Sequence, residues 1–81
     1  MEIVETAVKT LADAKIGETA VIAGLAAKGA ARRRFLDLGI VRGTKIKPLF
    51  ISPFNDPVAF LIRGTVIALR RDDCRMILVD N

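Results

Sequence analysis

The sequence predicts a mostly β fold, a small β-barrel with one short α-helix inserted, on three observations. Four to five short apolar runs, rich in Val, Ile, Thr and Phe, follow one another and are parted by Gly, Pro, Asn and Asp. Runs of that length and spacing are the pattern of a small all-β barrel. One segment, with Ala31, Phe35 and Leu38 at the i, i+4 and i+7 spacing, instead lines a helical face. With 81 residues, 52% of them hydrophobic, the chain has the apolar supply for one dense core and no length for a second.

The elements follow in order. Residues 1–9 have little pattern and are expected to form an N-terminal extension or an added edge strand, ahead of a barrel domain over 10–81. Thr10-Leu11-Ala12-Asp13 matches a capping box, in which the Thr10 hydroxyl and the Asp13 carboxylate satisfy backbone amides of a single helical turn. Gly17-Glu18 turns the chain. From Thr19 to Leu25 the residues are small or β-branched, which predicts a first strand with Val21, Ala23 and Leu25 on its buried face. Gly29 is placed to cap the helix, and Gly39 follows Leu38 where a left-handed residue stops it.

Val41-Arg42-Gly43-Thr44 reads as a type II turn, with Gly43 supplying the positive φ of its third position. A strand is expected over Thr44 to Ile51, with Pro48 on an edge or at a bulge because it donates no hydrogen bond. Pro53 to Pro57 is a loop in which Asn55 tolerates positive φ. Val58, Phe60 and Ile62 alternate as a strand, Gly64-Thr65 turns the chain, and Thr65 to Leu69 forms the next. A polar turn over Arg70 to Cys74 then leads to a last strand, Met76 to Val79. Closure into a barrel would remove the open edges of such short strands.

Charge singles out one segment. Lys28 to Lys47 holds seven basic residues against one acid, Asp37, a net of +6 in a chain whose total is +4. Such a bias reads as one basic face, suited to an acidic partner. Arg32, Arg33 and Arg34 cannot share a single helix face, and placed near the helix start they oppose its dipole. Phe54 stands between two prolines in a polar loop, while Phe35, Phe50 and Phe60 fall in core-like alternation. The candidate partner surface is therefore Arg32, Arg33, Arg34, Arg42 and Phe54.

The remaining chemistry is sparse. The chain has no His and one Cys, so a zinc site or a histidine-bound iron lacks its ligands. Adjacent Asp72 and Asp73 in a polar turn read as solvated carboxylates. Ser52 has no histidine to activate it, and no phosphate-cradling glycine motif is present. No catalytic, cofactor-binding or metal-ligating residue is expected, and no enzyme activity. Cys74, flanked by Arg71 and Arg75, is expected as a small buried hydrophobe ahead of a reactive thiol. No apolar run reaches the roughly 18–20 residues that cross a bilayer, Glu2 and Glu5 stand where a signal peptide carries bases, and the simplest expectation is a cytoplasmic protein.

Four stretches in order, TLADAKIGETAVI, GAARRRFLDLGIVRGT, SPFNDPV and RGTVIALRRDDCRMILV, resemble the FeoA family of bacterial ferrous iron uptake. The resemblance runs from about Thr10 to Val79. It implies an SH3-like barrel with an inserted helix. It also implies a non-enzymatic accessory or regulatory role through contact with FeoB, a membrane transporter with a cytosolic G-protein domain. Three positions depart from the family pattern: Arg42 stands where proline is usual, Asn55 where glycine is common, and Cys74 where a small alanine is usual.

Two other functions compete. A nucleic-acid-binding small barrel would use the basic segment 28–47 on phosphates. Against it, the chain has no Trp or Tyr, and only Phe54 is expected to be free for base stacking. A direct iron carrier is disfavoured by the ligand inventory. The sequence leaves homo-oligomerisation open.

Overall fold

The computed structural model describes residues 9–80. A single 3-10 turn, Leu11–Asp13, precedes five strands and two helices. These are β1 (Ala20–Leu25), α1 (Gly29–Asp37), β2 (Lys45–Ile51), β3 (Val58–Ile62), β4 (Thr65–Leu69), α2 (Arg71–Cys74) and β5 (Ile77–Asp80). The strands form one antiparallel sheet in the order β4-β3-β2-β1-β5. The fold class is the expected one, mostly β with a short helix between the first two strands. Of the N-terminal extension, residues 1–8 lie outside the described residues.

One core draws on the 3-10 turn, both helices and all five strands. Phe35 of α1, Ile40, Ile46 and Ile77 are fully buried, with Ile22 and Phe60 nearly so. Each such side chain contributes on the order of 1.5–3 kcal/mol of apolar burial. No polar or charged residue is buried among the described residues, so hydrophobic packing has no desolvated charge to offset.

The local chemistry explains the element ends. The capping box forms as expected: Thr10 Oγ1 accepts from the Ala12 amide at 3.3 Å, and Asp13 Oδ2 accepts from the Thr10 amide at 3.5 Å. Helix α1 ends in a Schellman motif, with the Gly39 amide donating to Leu36 O at 3.0 Å and the Ile40 amide to Phe35 O at 3.0 Å. Gly39 takes φ +88 to allow it. That exit turns Ile40 into the core and leaves Leu38, expected on the buried stripe, 38% exposed. Gly29 is not the cap. Extended Lys28 occupies that place without a side-chain bond, and Gly29 opens the helix at φ +63. Arg34 lies in the last turn of α1, where a cation favours the dipole.

Several expectations shift by a residue or a face. In β1 the buried residues are Ala20 and Ile22, while Val21, Ala23 and Leu25 are half-buried. With apolar residues on both faces the run carries no alternation to set its phase, and a register shift between Ile22 and Gly24 breaks it further. The β3–β4 turn is Arg63-Gly64, both at positive φ (52° and 79°), one residue earlier than expected. A two-residue hairpin of this type needs positive φ twice, which β-branched Thr65 resists. The polar turn after β4 folds into α2. The bulge expected at Pro48 is present between Pro48 and Phe50.

Candidate functional site

The predicted surface residues occupy three places. Arg32, Arg33 and Arg34 project from α1, Arg42 sits in the turn that follows, and Phe54 caps the β2–β3 loop. The basic segment 28–47 is thus spread over α1, a turn and β2.

Arg34 is not a free surface charge. Its guanidinium meets Asp73 Oδ1 at 2.8 Å and lies 5.1 Å from the Phe35 ring centre. Asp73 is used on both oxygens, because Oδ2 accepts the Arg70 amide at 3.3 Å. Arg34 therefore fastens α1 to α2. Arg32, Arg33 and Arg42 are exposed, and Arg32 and Arg33 flank a shallow hollow with Gly29, Leu36 and Asp37.

Helix α2 holds the Phe54 loop as well. Its Arg71 donates from Nε to Asn55 O at 2.6 Å and from its amide to Asp56 Oδ1 at 3.0 Å. Across the loop base the Ser52 hydroxyl donates to Pro57 O at 2.8 Å. Asn55 adopts the expected positive φ of 67°. This leaves Phe54 on a braced loop at 89% exposure. Through Arg34–Asp73 on one side and Arg71–Asn55 on the other, α2 links the arginine helix to the aromatic loop.

A second aromatic was missed. Phe50, expected in the core, is 58% exposed. The β2 bulge places an extra residue after Pro48 and flips the phase, so Phe50 sits opposite Ala59 on the outward face. The signal for it was present in the sequence as Pro48, which demands such an irregularity.

Cys74 is buried to 1% exposure, as the sequence suggested. Burial, with the Asp73 carboxylate nearby, pushes its thiol up from 9.0 to about 11, while Arg71 and Arg75 oppose the shift weakly. A thiol so held is protonated at neutral pH and a poor nucleophile. Among the described residues no group of three or more His, Cys, Asp or Glu is gathered to hold a metal ion. No helix among them is long and apolar enough to cross a membrane.

The family model of the FeoA domain matches residues 9–81. The chain belongs to the FeoA family. It is 34% identical over 70 residues to an Fe(2+) transport protein A/Fe(2+) transporter FeoB fusion protein of Porphyromonas gingivalis. That match takes in 86% of this chain but only 8% of the fusion protein's length. Among solved structures, the FeoA protein of Chlorobium tepidum is 38% identical, with a TM-score of 0.81 over 88% of this chain and 68% of that one. An FeoA-like protein of Clostridium acetobutylicum is 33% identical, with a TM-score of 0.83 over 93% of this chain and 87% of its own. FeoA of Stenotrophomonas maltophilia, solved with zinc and described as a procaryotic SH3 domain protein, is 26% identical with a TM-score of 0.79, over 89% of both chains. The mostly β fold of this chain is accordingly SH3-like.

Proposed function

We propose that this chain is a non-enzymatic accessory protein of ferrous iron uptake that acts by docking on a FeoB-type transporter, at its cytosolic G-protein domain. The observation that carries the reading is the Porphyromonas gingivalis relative, in which an FeoA part and FeoB are one polypeptide. Covalent linkage keeps two modules at high effective concentration, and such an arrangement suits modules that work in contact. Ferrous iron is cargo of the transporter in this reading, so the chain itself needs no metal ligands.

The surface chemistry supports a docking role. Phe54 and Phe50 are large apolar groups held in solvent, and the exposed Arg32, Arg33 and Arg42, without an ion-pair partner among the described residues, supply positive charge. The site works on the cytoplasmic side, where the G-protein domain lies.

The test is titration calorimetry of the chain against the FeoB G-protein domain of the same organism, at two ionic strengths. Phe54→Ser is expected to weaken binding with little change in salt dependence. Arg32→Glu with Arg33→Glu is expected to weaken it and flatten the salt dependence. Absence of binding by the folded parent chain overturns the reading. The exposure of Phe50 keeps one other reading in view, since an aromatic beside Lys45 and Lys47 is a stacking platform for single-stranded nucleic acid. Tight, salt-sensitive binding of a labelled oligonucleotide, lost in Phe50→Ser, would favour that instead.

A further inference from the structure

Strand β4 ends the sheet with β3 as its one strand neighbour among the described residues. The opposite end is covered: β5 takes an antiparallel bridge from Thr10 to Leu78, and the Val79 amide donates to Lys9 O at 3.0 Å. Among the described residues the β4 edge has no such cover, and its sequence, Thr65-Val66-Ile67-Ala68-Leu69, carries none of the usual guards. Exposed edges are ordinarily protected by lysine, proline or a bulge. Here five uncharged residues pair with β3 without a break in register.

The pairing also says which backbone groups are free. A two-residue hairpin makes its flanking pair, Ile62 with Thr65, a hydrogen-bonded one, and antiparallel pairs then alternate. Ile67 and Leu69 therefore bond to β3, whereas the amides and carbonyls of Val66 and Ala68 point away from it. The side chains of these two residues share the outward face with Leu61, Ala59 and Phe50. Val66 is 56% exposed and Phe50 58%, so the open edge borders an apolar strip. Around it the charge is one-sided. From Leu38 to Arg71 there are six bases (Arg42, Lys45, Lys47, Arg63, Arg70 and Arg71) and one acid, Asp56. Arg63 and Arg70 stand at the two ends of β4.

We propose that β4 is a strand-addition site: it accepts an extended segment of the transporter's cytosolic part, apolar at alternate positions and acidic at both ends. The added strand hydrogen-bonds to Val66 and Ala68 and lays its apolar side chains beside theirs, at the rim of the strip that runs on through Ala59 to Phe50, the mode by which sheet edges capture peptides. A second copy of this chain fits worse. In the antiparallel register that uses both Val66 and Ala68, the Arg70 end of each β4 meets the Arg63 end of the other, so basic residues gather at both ends with no acid between them. The proposal rests on the docking reading above and names its surface and its chemistry.

Amide hydrogen exchange of the full chain, read by NMR with and without the FeoB G-protein domain, tests it together with two substitutions. The Ala68 amide faces outward, so Ala68→Pro removes no bond to β3, while Ala68→Thr keeps the donor. The expected result is slowed exchange at Val66 and Ala68 in the complex. Ala68→Pro, folded by circular dichroism, should bind about tenfold more weakly, and Ala68→Thr should bind close to the parent. Binding without protection at these amides, or undiminished in folded Ala68→Pro, overturns the edge site and leaves the docking function standing. No binding at all overturns both. Slow exchange at Val66 and Ala68 in the free chain also overturns it. If that protection grows with protein concentration a second copy holds the edge, and if it does not the chain covers its own edge.

Discussion

Replacing Arg42 by proline is expected to stabilise the protein, and the turn geometry sets the size of the effect. The Thr44 amide donates to Val41 O at 3.1 Å, closing a four-residue turn with Gly43 at φ +90. Arg42 occupies the second position, where a type II turn asks for the φ that proline already has. Among the described residues its amide donates no backbone hydrogen bond in the turns and loops, so proline forfeits no donor there. Val41 before it is outside any helix, as a residue preceding proline must be. The gain comes from a stiffer unfolded chain and is about 0.4–1 kcal/mol. For a domain of this size that is a rise of roughly 2–8 °C in Tm.

The companion substitution is Gly43→Ala. A Cβ built on Gly43 meets nothing within 4 Å, so the cost is purely that of holding an L-residue at positive φ, on the order of 1–2 kcal/mol. The Gly43 amide also donates to Ile22 O at 2.7 Å, which keeps the turn fixed against β1 and blocks its relaxation. Denaturant melts with a common slope, alongside thermal melts, measure both variants. A clear loss of stability in Arg42→Pro, or an unchanged Gly43→Ala, would refute the turn assignment and the reasoning built on it.

Two further predictions follow from α2. Cys74 is protonated in the folded state up to about pH 11 but ionises from about pH 9 when unfolded, so the unfolded state binds fewer protons in that window. Stability should fall as pH rises from 9 to 11, by on the order of 2–3 kcal/mol, and the thiol's share of that fall is the part that disappears in Cys74→Ala. A double-mutant cycle on Arg34→Ala and Asp73→Ala should give a coupling of about 0.5–1 kcal/mol, since Arg34 is half-exposed and Asp73 largely covered. Additive melts would mean that the pair does not fasten α1 to α2.

The sequence announced most of the framework because its punctuation is chemical. Gly39, Gly43 and Asn55 take the left-handed conformations that their positions required, and Thr10 with Asp13 forms the box their spacing implied. Where the reading slipped, a residue had been inserted in a strand or a side chain had found a distant partner. Phe50 looked like a core residue because alternation was carried past Pro48, and the bulge inverted it. β1 hid its phase because both of its faces are apolar. Arg34 looked like surface charge because Asp73, 39 positions later, leaves no trace in local pattern. Long-range ion pairs and strand phase after a bulge are set by tertiary assembly, which no window of sequence contains.

The bracing of the β2–β3 loop bears on how fast and how firmly a partner is held. Tied at its base by Ser52 and Pro57 and at its crown by Arg71, the loop presents Phe54 with its backbone already fixed. An aromatic delivered this way surrenders only two side-chain torsions on contact, because the ordering of the main chain was completed during folding. Affinity gained by such pre-ordering is not lost to loop freezing. Loosening the brace, for example with Arg71→Ala, would leave Phe54 in place chemically yet make each encounter pay again for an order that folding had already supplied.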